Sequence, residues 1–253
     1  MLSNAFYFIQ KMAINIGFIP SEWFCFSEYH PRKFYVFGDR RLVFIEVPKV
    51  ASSSILYAIG KAYQVEFQDS IHNDPFWHIE RDMLNPQQQE FYKFAFVRNP
   101  FDRLVSCYKN KLIQVRHQTK FNPSRYLFEG YIPLDATFAE FVKIITKIND
   151  CLADKHFKSQ YAILSHGGKL LPDWIGRFET LADSWAEIAQ KYGFEQDLPK
   201  FKSTEHLKNT PRDYRAYYTK ELAEMVSRRY RKDLVLFGYT KAYQELLDFL
   251  DNK

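Results

Sequence analysis

Cysteine is the scarcest residue in this chain, with Cys25, Cys107 and Cys151 the only 3 among 253 residues. An odd number with no CxxC pair fits neither a disulfide framework nor a zinc site. A reducing compartment, the cytoplasm, is the simplest setting. No Asn-x-Ser/Thr acceptor survives inspection, because Asn122-Pro123-Ser124 carries proline in the middle. No run of about 18 apolar residues exists, which removes a membrane-spanning helix from consideration. The stretch from Ala5 to Ile19 is apolar but interrupted by Lys11 and Asn15, and it lacks a basic start and a small-residue cleavage site. It reads as a helix packed on the domain, and it would also suit peripheral membrane contact. Repeats, low-complexity runs and a Gly/Ser/Pro linker are all missing, so the chain divides only into an amino-terminal extension over 1–40 and one domain over 41–253.

What is there is a core. Hydrophobic residues make up 46% and aromatics 18% of the sequence, enough for one large α/β domain. The formal charge of +5 suits anionic ligands. The densest basic cluster, Arg228 to Lys232, reads as a solvated helix face, so nucleic acid is not an expected partner. Oligomeric state is not legible. Strands are expected over Leu42–Val47, Gln64–Phe67, Phe94–Val97 and Trp174–Phe178, and loop over 71–86. Helices are expected through Ile55 to Lys61 and through Leu104, Tyr108 and Leu112. Others follow the Thr137-x-x-Glu140 capping box, run from Leu181 to a stop at Gly193, and pass through Leu222 to Tyr230. The alternation implies a mostly parallel sheet flanked by helices.

Two strand–turn–helix segments carry the chemistry. In Leu42-Val43-Phe44-Ile45-Glu46-Val47-Pro48-Lys49-Val50-Ala51-Ser52-Ser53-Ser54, a lysine and three serines stand where a strand gives way to a helix. Helix-start N–H groups bind phosphate readily, and Lys49 adds a full charge. The Gly-Lys-Ser/Thr ending of a Walker A loop is missing, which disfavours an ordinary NTPase. In Phe94-Ala95-Phe96-Val97-Arg98-Asn99-Pro100-Phe101-Asp102-Arg103-Leu104-Val105-Ser106, Arg98 ends a strand and Ser106 lies in the following helix. A fork of donors and a hydroxyl at the carboxyl end of a strand suit a phosphate. Two such turns on one sheet suggest a ligand with two separated phosphates.

Together these segments resemble the nucleotide-binding motifs of sulfotransferases. The closest resemblance is to family 2, which includes Golgi carbohydrate sulfotransferases and shorter bacterial relatives. Pro48-Lys49-Val50-Ala51-Ser52-Ser53 resembles the 5′-phosphosulfate loop and Arg98-Asn99-Pro100-Phe101-Asp102-Arg103-Leu104-Val105-Ser106-Cys107-Tyr108 the 3′-phosphate motif. His156 to Gln160, Trp174 to Leu181 and Tyr230 to Tyr239 follow in the family's order. The resemblance implies a P-loop-NTPase-like sulfotransferase fold, 3′-phosphoadenosine 5′-phosphosulfate (PAPS) as donor, a carbohydrate or glycoconjugate hydroxyl as acceptor, and no metal. It implies that Lys49 and the backbone of Val50, Ala51, Ser52, Ser53 and Ser54 hold the phosphosulfate, and that Arg98 and Ser106 hold the 3′-phosphate. Arg103 is expected to be a structural ion-pair partner. The Golgi members carry paired cysteines; the few here favour a bacterial-type cytoplasmic enzyme.

A base must take the acceptor's proton, and histidine suits that role. His72 lies between the two motifs, in the interval where similar enzymes carry a catalytic histidine. His78 on the same loop and His156 in the third stretch are the other candidates, for base or acceptor contact, and another group such as a carboxylate is the remaining alternative. The loop from Pro199 to Pro211 resembles a basic flap over the nucleotide, with Lys202 and Lys208 as candidate ligands. Acceptor pockets are expected from 114–133, with Phe121, Tyr126, Phe128 and Tyr131, and from 71–86. A nucleotide-binding protein without transfer activity and a P-loop-like kinase are the alternative readings.

Overall fold

A computed structural model describes residues 31–67, 71–114, 126–127, 132–199 and 210–253. The sheet is built on its most apolar segments. Strands β1 (Lys33–Phe37), β2 (Leu42–Ile45), β3 (Ile79–Arg81), β4 (Tyr92–Val97) and, after two short pairs β5/β6 (Tyr126–Leu127, Ile132–Pro133) and β7/β8 (Ser165–His166, Lys169–Leu170), β9 (Trp174–Arg177) supply the strands. The large sheet has the order β3-β1-β2-β4-β9. β2 and β4 pair in parallel, with Leu42 opposite Tyr92 and Ile45 opposite Ala95. β9 pairs in parallel with β4, whereas β1 runs antiparallel to both β2 and β3. Only β1 therefore opposes the common direction, and the sheet is mostly parallel, as expected. Leu42, Val43, Phe44 and Ile45 are each 0% exposed. A strand covered on both faces is apolar along its whole length, which is why this run does not alternate.

The helices are α1 (Ser52–Ala62), α2 (Pro86–Gln89), α3 (Pro100–Tyr108), α4 (Phe138–Ile145), α5 (Gln160–Leu164), α6 (Leu181–Tyr192), α7 (Lys220–Arg229), α8 (Arg231–Leu236) and α9 (Thr240–Asp251). The capping box before α4 forms as expected, with Thr137 and Glu140 each taking the other's backbone N–H. Gly193 ends α6 at φ 68°, in the left-handed region a side chain resists. The helix expected through Leu112 changes character after Tyr108, where Lys109–Ile113 form a π-helical turn.

Three local expectations are corrected. Residues 64–67 form no strand. Gln64 sits at φ 59° and its N–H bonds Lys61 O at 3.0 Å, while Val65 N–H bonds Gly60 O at 2.9 Å, so the segment is the C-terminal cap of α1. Within the expected loop 71–86, Ile79–Arg81 form the edge strand β3. Its charged, three-residue sequence hides it, and short charged strands are what a sheet edge tolerates. Residues 33–37, inside the segment read as an extension, are a strand of the central sheet, buried throughout. Residues 1–30, with the apolar helix expected there, lie outside the described residues.

The later motifs brace the earlier ones. The side-chain amide of Gln160 accepts from Arg98 N at 2.9 Å and donates to Arg98 O at 2.8 Å. Asp233, 0% exposed, accepts from the backbone N–H of Gln160 and Tyr161. Glu179 accepts from Asn99 N at 2.7 Å and from the Tyr239 hydroxyl at 2.8 Å. Arg103, 2% exposed, donates to three carbonyls, Pro48 at 3.0 Å, Lys158 at 2.8 Å and Lys155 at 3.0 Å. It is structural, as expected, but its direct partners are carbonyls rather than a carboxylate. Breaking a buried charged contact leaves its partners unsatisfied, so Arg103→Leu should cost about 3–5 kcal/mol of unfolding free energy. Denaturant midpoints at constant m-value measure this, and a loss below about 1 kcal/mol would show that the loops hold without it.

Candidate active site

β2 and β4 are parallel neighbours, so the turns that follow them open at the same edge of the sheet. A cavity of about 540 Å³ lies there. Its wall includes Lys33, Lys49, Arg98, Lys111 and Lys155, against the single carboxylate of Glu46 among the described residues. Such an excess of cations in a concave surface concentrates anions. A second cavity of about 440 Å³ adjoins it and shares Lys33, Glu46, Pro48 and Lys155.

The first turn is backbone under constraint. Lys49 at φ 73° and Ala51 at φ 66° both occupy the left-handed region, unusual for side-chain-bearing residues. Alternating handedness of this kind turns successive N–H groups toward one side, the geometry of an anion nest. Three contacts hold it: Ser52 Oγ donates to Val47 O at 2.9 Å, Arg103 Nε to Pro48 O, and Arg98 Nη1 to Lys49 O at 3.0 Å. The turn ends in α1, whose positive end faces this edge, although the Ser54 N–H already bonds Ala51 O at 2.9 Å. Ala51, Ser52, Ser53 and Ser54 line the cavity, whereas Val50, expected among the ligand-holding residues, is 0% exposed, packs in the core and does not line it. Burial, reinforced by the charges of Lys111, Arg98 and Arg103, pulls the Lys49 ammonium down to about 8.

The second turn places Arg98 and Ser106 on the same wall. Asp102 Oδ2 takes Arg98 Nε at 2.9 Å and Nη2 at 2.8 Å, and the guanidinium lies 4.0 Å from the centre of the Phe178 ring. With Nη1 on Lys49 O, the described residues leave at least two of the five N–H groups for an anion. The guanidinium thus ties the two turns together as well as facing the cavity. The π-helical turn sets Asn110 and Lys111 on this wall, a contribution that helical periodicity does not reveal.

The histidines separate. His72 enters the cavity with Nε2 2.8 Å from Ser53 Oγ and Nδ1 2.8 Å from Glu46 Oε1. Its carbonyl accepts from the Tyr35 hydroxyl at 3.0 Å. His156 also lines the cavity, but its Nδ1 is engaged by Asp154 Oδ1 at 2.6 Å, and burial pulls the imidazole down to about 4 despite that carboxylate. It is therefore neutral at physiological pH. His78 is exposed, contacts Glu80 and Gln88, and lines neither cavity. Lys202, Lys208 and the aromatics Phe121, Phe128 and Tyr131 lie outside the described residues, and of Tyr126 only the backbone is described. Glu46 was not a sequence candidate, although a carboxylate inside the apolar run from Leu42 to Val47 is the available signal.

Among known proteins, carbohydrate sulfotransferase 11 of Mus musculus is 24% identical over 236 residues, covering 80% of this chain and 65% of its own length. Carbohydrate sulfotransferase 12 of Mus musculus is 24% identical over 258 residues, with 84% and 61% covered, and carbohydrate sulfotransferase 14 of Danio rerio 25% over 223, with 79% and 60% covered. The chain thus spans less than two thirds of the length of these relatives. No solved structure matches it. The model of the sulfotransferase family matches residues 32–240, from the residue before β1 to the first of α9 and through both anion turns, and the chain belongs to that family.

Proposed function

We propose that this chain transfers a sulfuryl group from PAPS to a hydroxyl of a carbohydrate acceptor, in the biosynthesis of a polysaccharide or glycoconjugate. The observation that carries the reading is the joining of two anion turns at one sheet edge, with Arg98 bonded to the carbonyl of Lys49 and a histidine beside them. The names of the relatives support a carbohydrate acceptor. The cavity's five cations and its nest suit a donor with two phosphate groups.

In this reading Lys49, the N–H groups of residues 51–53 and the Ser54 hydroxyl hold the 5′-phosphosulfate, and Arg98 and Ser106 hold the 3′-phosphate. Lys202 would join them from the flap. Lys49 neutralises the charge that grows on the leaving 5′-phosphate. His72 takes the acceptor's proton, and its place beside Glu46 supports that role over a binding protein without a base. The acceptor lies in the adjoining cavity, to which Asp82 and Met83 of the 71–86 segment contribute. The bacterial-type, cytoplasmic setting belongs to the same proposal, supported by the scarcity of cysteine and by Cys107, which is buried and outside any disulfide.

Transfer of labelled sulfate from PAPS to a panel of oligosaccharides tests the function directly; no transfer to any hydroxyl acceptor, with PAPS bound, would demote the chain to a nucleotide binder. Three further outcomes are expected. Adenosine 3′,5′-bisphosphate (PAP) should bind far more tightly than AMP, and Arg98→Ala should weaken PAP at least about tenfold, the worth of a charge-assisted hydrogen bond of about 1.5–3 kcal/mol. Equal affinities by calorimetry would remove the two-phosphate reading. His72→Ala should lower kcat by about 10²–10⁴ and leave PAP affinity near wild type. If activity survives there and falls in His156→Ala, the base is His156. An anion in the nest should raise the Lys49 ammonium from about 8 back toward its ordinary 10.5. PAP binding should therefore take up protons increasingly as pH rises from 7 to 9, read as a dependence of binding heat on buffer ionisation enthalpy. Lys49→Met should erase that dependence, and its persistence would place the titrating group elsewhere.

A further inference from the structure

Glu46 directly follows β2, inside the apolar run from Leu42 to Val47, and is only 7% exposed. Its two oxygens have different partners. Oε1 lies 2.8 Å from His72 Nδ1, a charge contact rather than an aligned hydrogen bond, since the buried Nδ1 has no hydrogen-bond partner among the described residues, and Oε2 lies 4.0 Å from Lys155 Nζ. Burial alone would raise its carboxyl; the neighbouring His72, with the charges of Lys155 and Lys33, overcomes that and holds it below the ordinary carboxylate range. The imidazole is gripped on its other side too, with Nε2 2.8 Å from Ser53 Oγ. Its backbone carbonyl faces the Tyr35 hydroxyl and, at 3.5 Å, Lys33 Nζ. The groups facing the ring are thus Glu46 from the end of β2 and Ser53 from α1, with Lys33 of β1 and Lys155 beyond the carboxylate.

We propose that Glu46 is the positioning residue that selects the proton-accepting nitrogen of His72, and that Ser53 covers this nitrogen until the donor is bound. The proposal rests on the sulfuryl-transfer reading. A carboxylate can only accept, so its nearness to Nδ1 favours the tautomer with the proton of the neutral ring there and the lone pair on Nε2. In the free protein the Ser53 hydroxyl donates into that lone pair. Ser53 also belongs to the nest. A phosphosulfate oxygen carries charge and is a stronger acceptor than a neutral imidazole nitrogen. Ser53 therefore turns to the anion when the nest fills, and Nε2 opens to the acceptor hydroxyl. The acceptor's O–H proton then passes to Nε2 as its oxygen bonds sulfur. The bond from sulfur to the bridging 5′-phosphate oxygen breaks, and PAP leaves with that electron pair. The imidazolium formed is paired with Glu46. Donor binding thus precedes base activation, and a hydroxyl entering alone meets an occupied base.

Ring ¹⁵N correlation spectra of the full chain with labelled histidine, assigned with His72→Gln, test this. Above pH 8 the wild type should show the His72 proton on Nδ1 and a bare Nε2. Glu46→Gln can donate to Nδ1 and should move the proton to Nε2. It should also lower kcat at least tenfold with PAP affinity unchanged, and Glu46→Asp should recover part of the rate. Saturating PAP should shift the Nε2 resonance in the wild type and leave it in place in Ser53→Ala. A Glu46→Gln protein with wild-type tautomer and kcat overturns the role of Glu46; if that variant does not fold, a wild-type neutral ring protonated on Nε2 does so alone. PAP binding without movement of Nε2 overturns the role of Ser53. Absence of PAP binding overturns the donor reading and the Ser53 step with it, while the tautomer comparison still decides Glu46.

Discussion

The guanidinium of Arg103 joins two pieces of chain that are distant in sequence. From inside α3 it reaches the carbonyl of Pro48, at the head of the first anion turn, and the carbonyls of Lys155 and Lys158 in the loop before α5. That loop supplies Lys155 to both cavities and His156 to the first. A fully buried arginine is costly unless its N–H groups are satisfied, and carbonyls satisfy them without cancelling the charge. The retained charge matters because it stands behind the nest and contributes, after burial and other cations, to the lowered ammonium of Lys49.

The constrained backbone of the nest depends on such supports. Lys49 and Ala51 sit in the left-handed region without being glycine, which costs free energy at each residue. Ser52, Arg98 and Arg103 each fix one carbonyl of this segment, so the unfavourable conformation is determined several times over. Arg98 serves twice, bracing the first turn and offering its remaining N–H groups to the cavity. Its own backbone is clamped by Gln160, which is seated on buried Asp233. The third and fourth family-like stretches therefore act mainly at a distance, by holding the second.

Much of this was legible in the sequence because it rests on local rules. Apolar runs interrupted by proline mark β2 and β4, serines after a strand mark the start of α1, and Thr137 with Glu140 marks α4. Parallel pairing of β2 and β4 then follows from the strand–helix alternation, and with it the common edge where Lys49 and Arg98 meet. β3 escaped because three residues with two charges carry no pattern, and β1 because it precedes the first motif. The run 64–67 misled because β-favouring residues also serve as the apolar tail of a helix cap.

Residue type and order by themselves determined the two anion turns, the mixed α/β class and the histidine between the motifs, since each depends on neighbours within a few positions. Only the tertiary structure decided where each histidine stands. His78 and His72 are six residues apart, yet the edge strand carries one to solvent while the other falls between Ser53 and Glu46. His156 reaches the same cavity but is buried against Asp154. Glu46 likewise becomes chemical only when a loop 26 residues later in the chain folds back over the strand end. A hydrogen bond joins atoms brought together by packing, and no spacing along the chain encodes that distance.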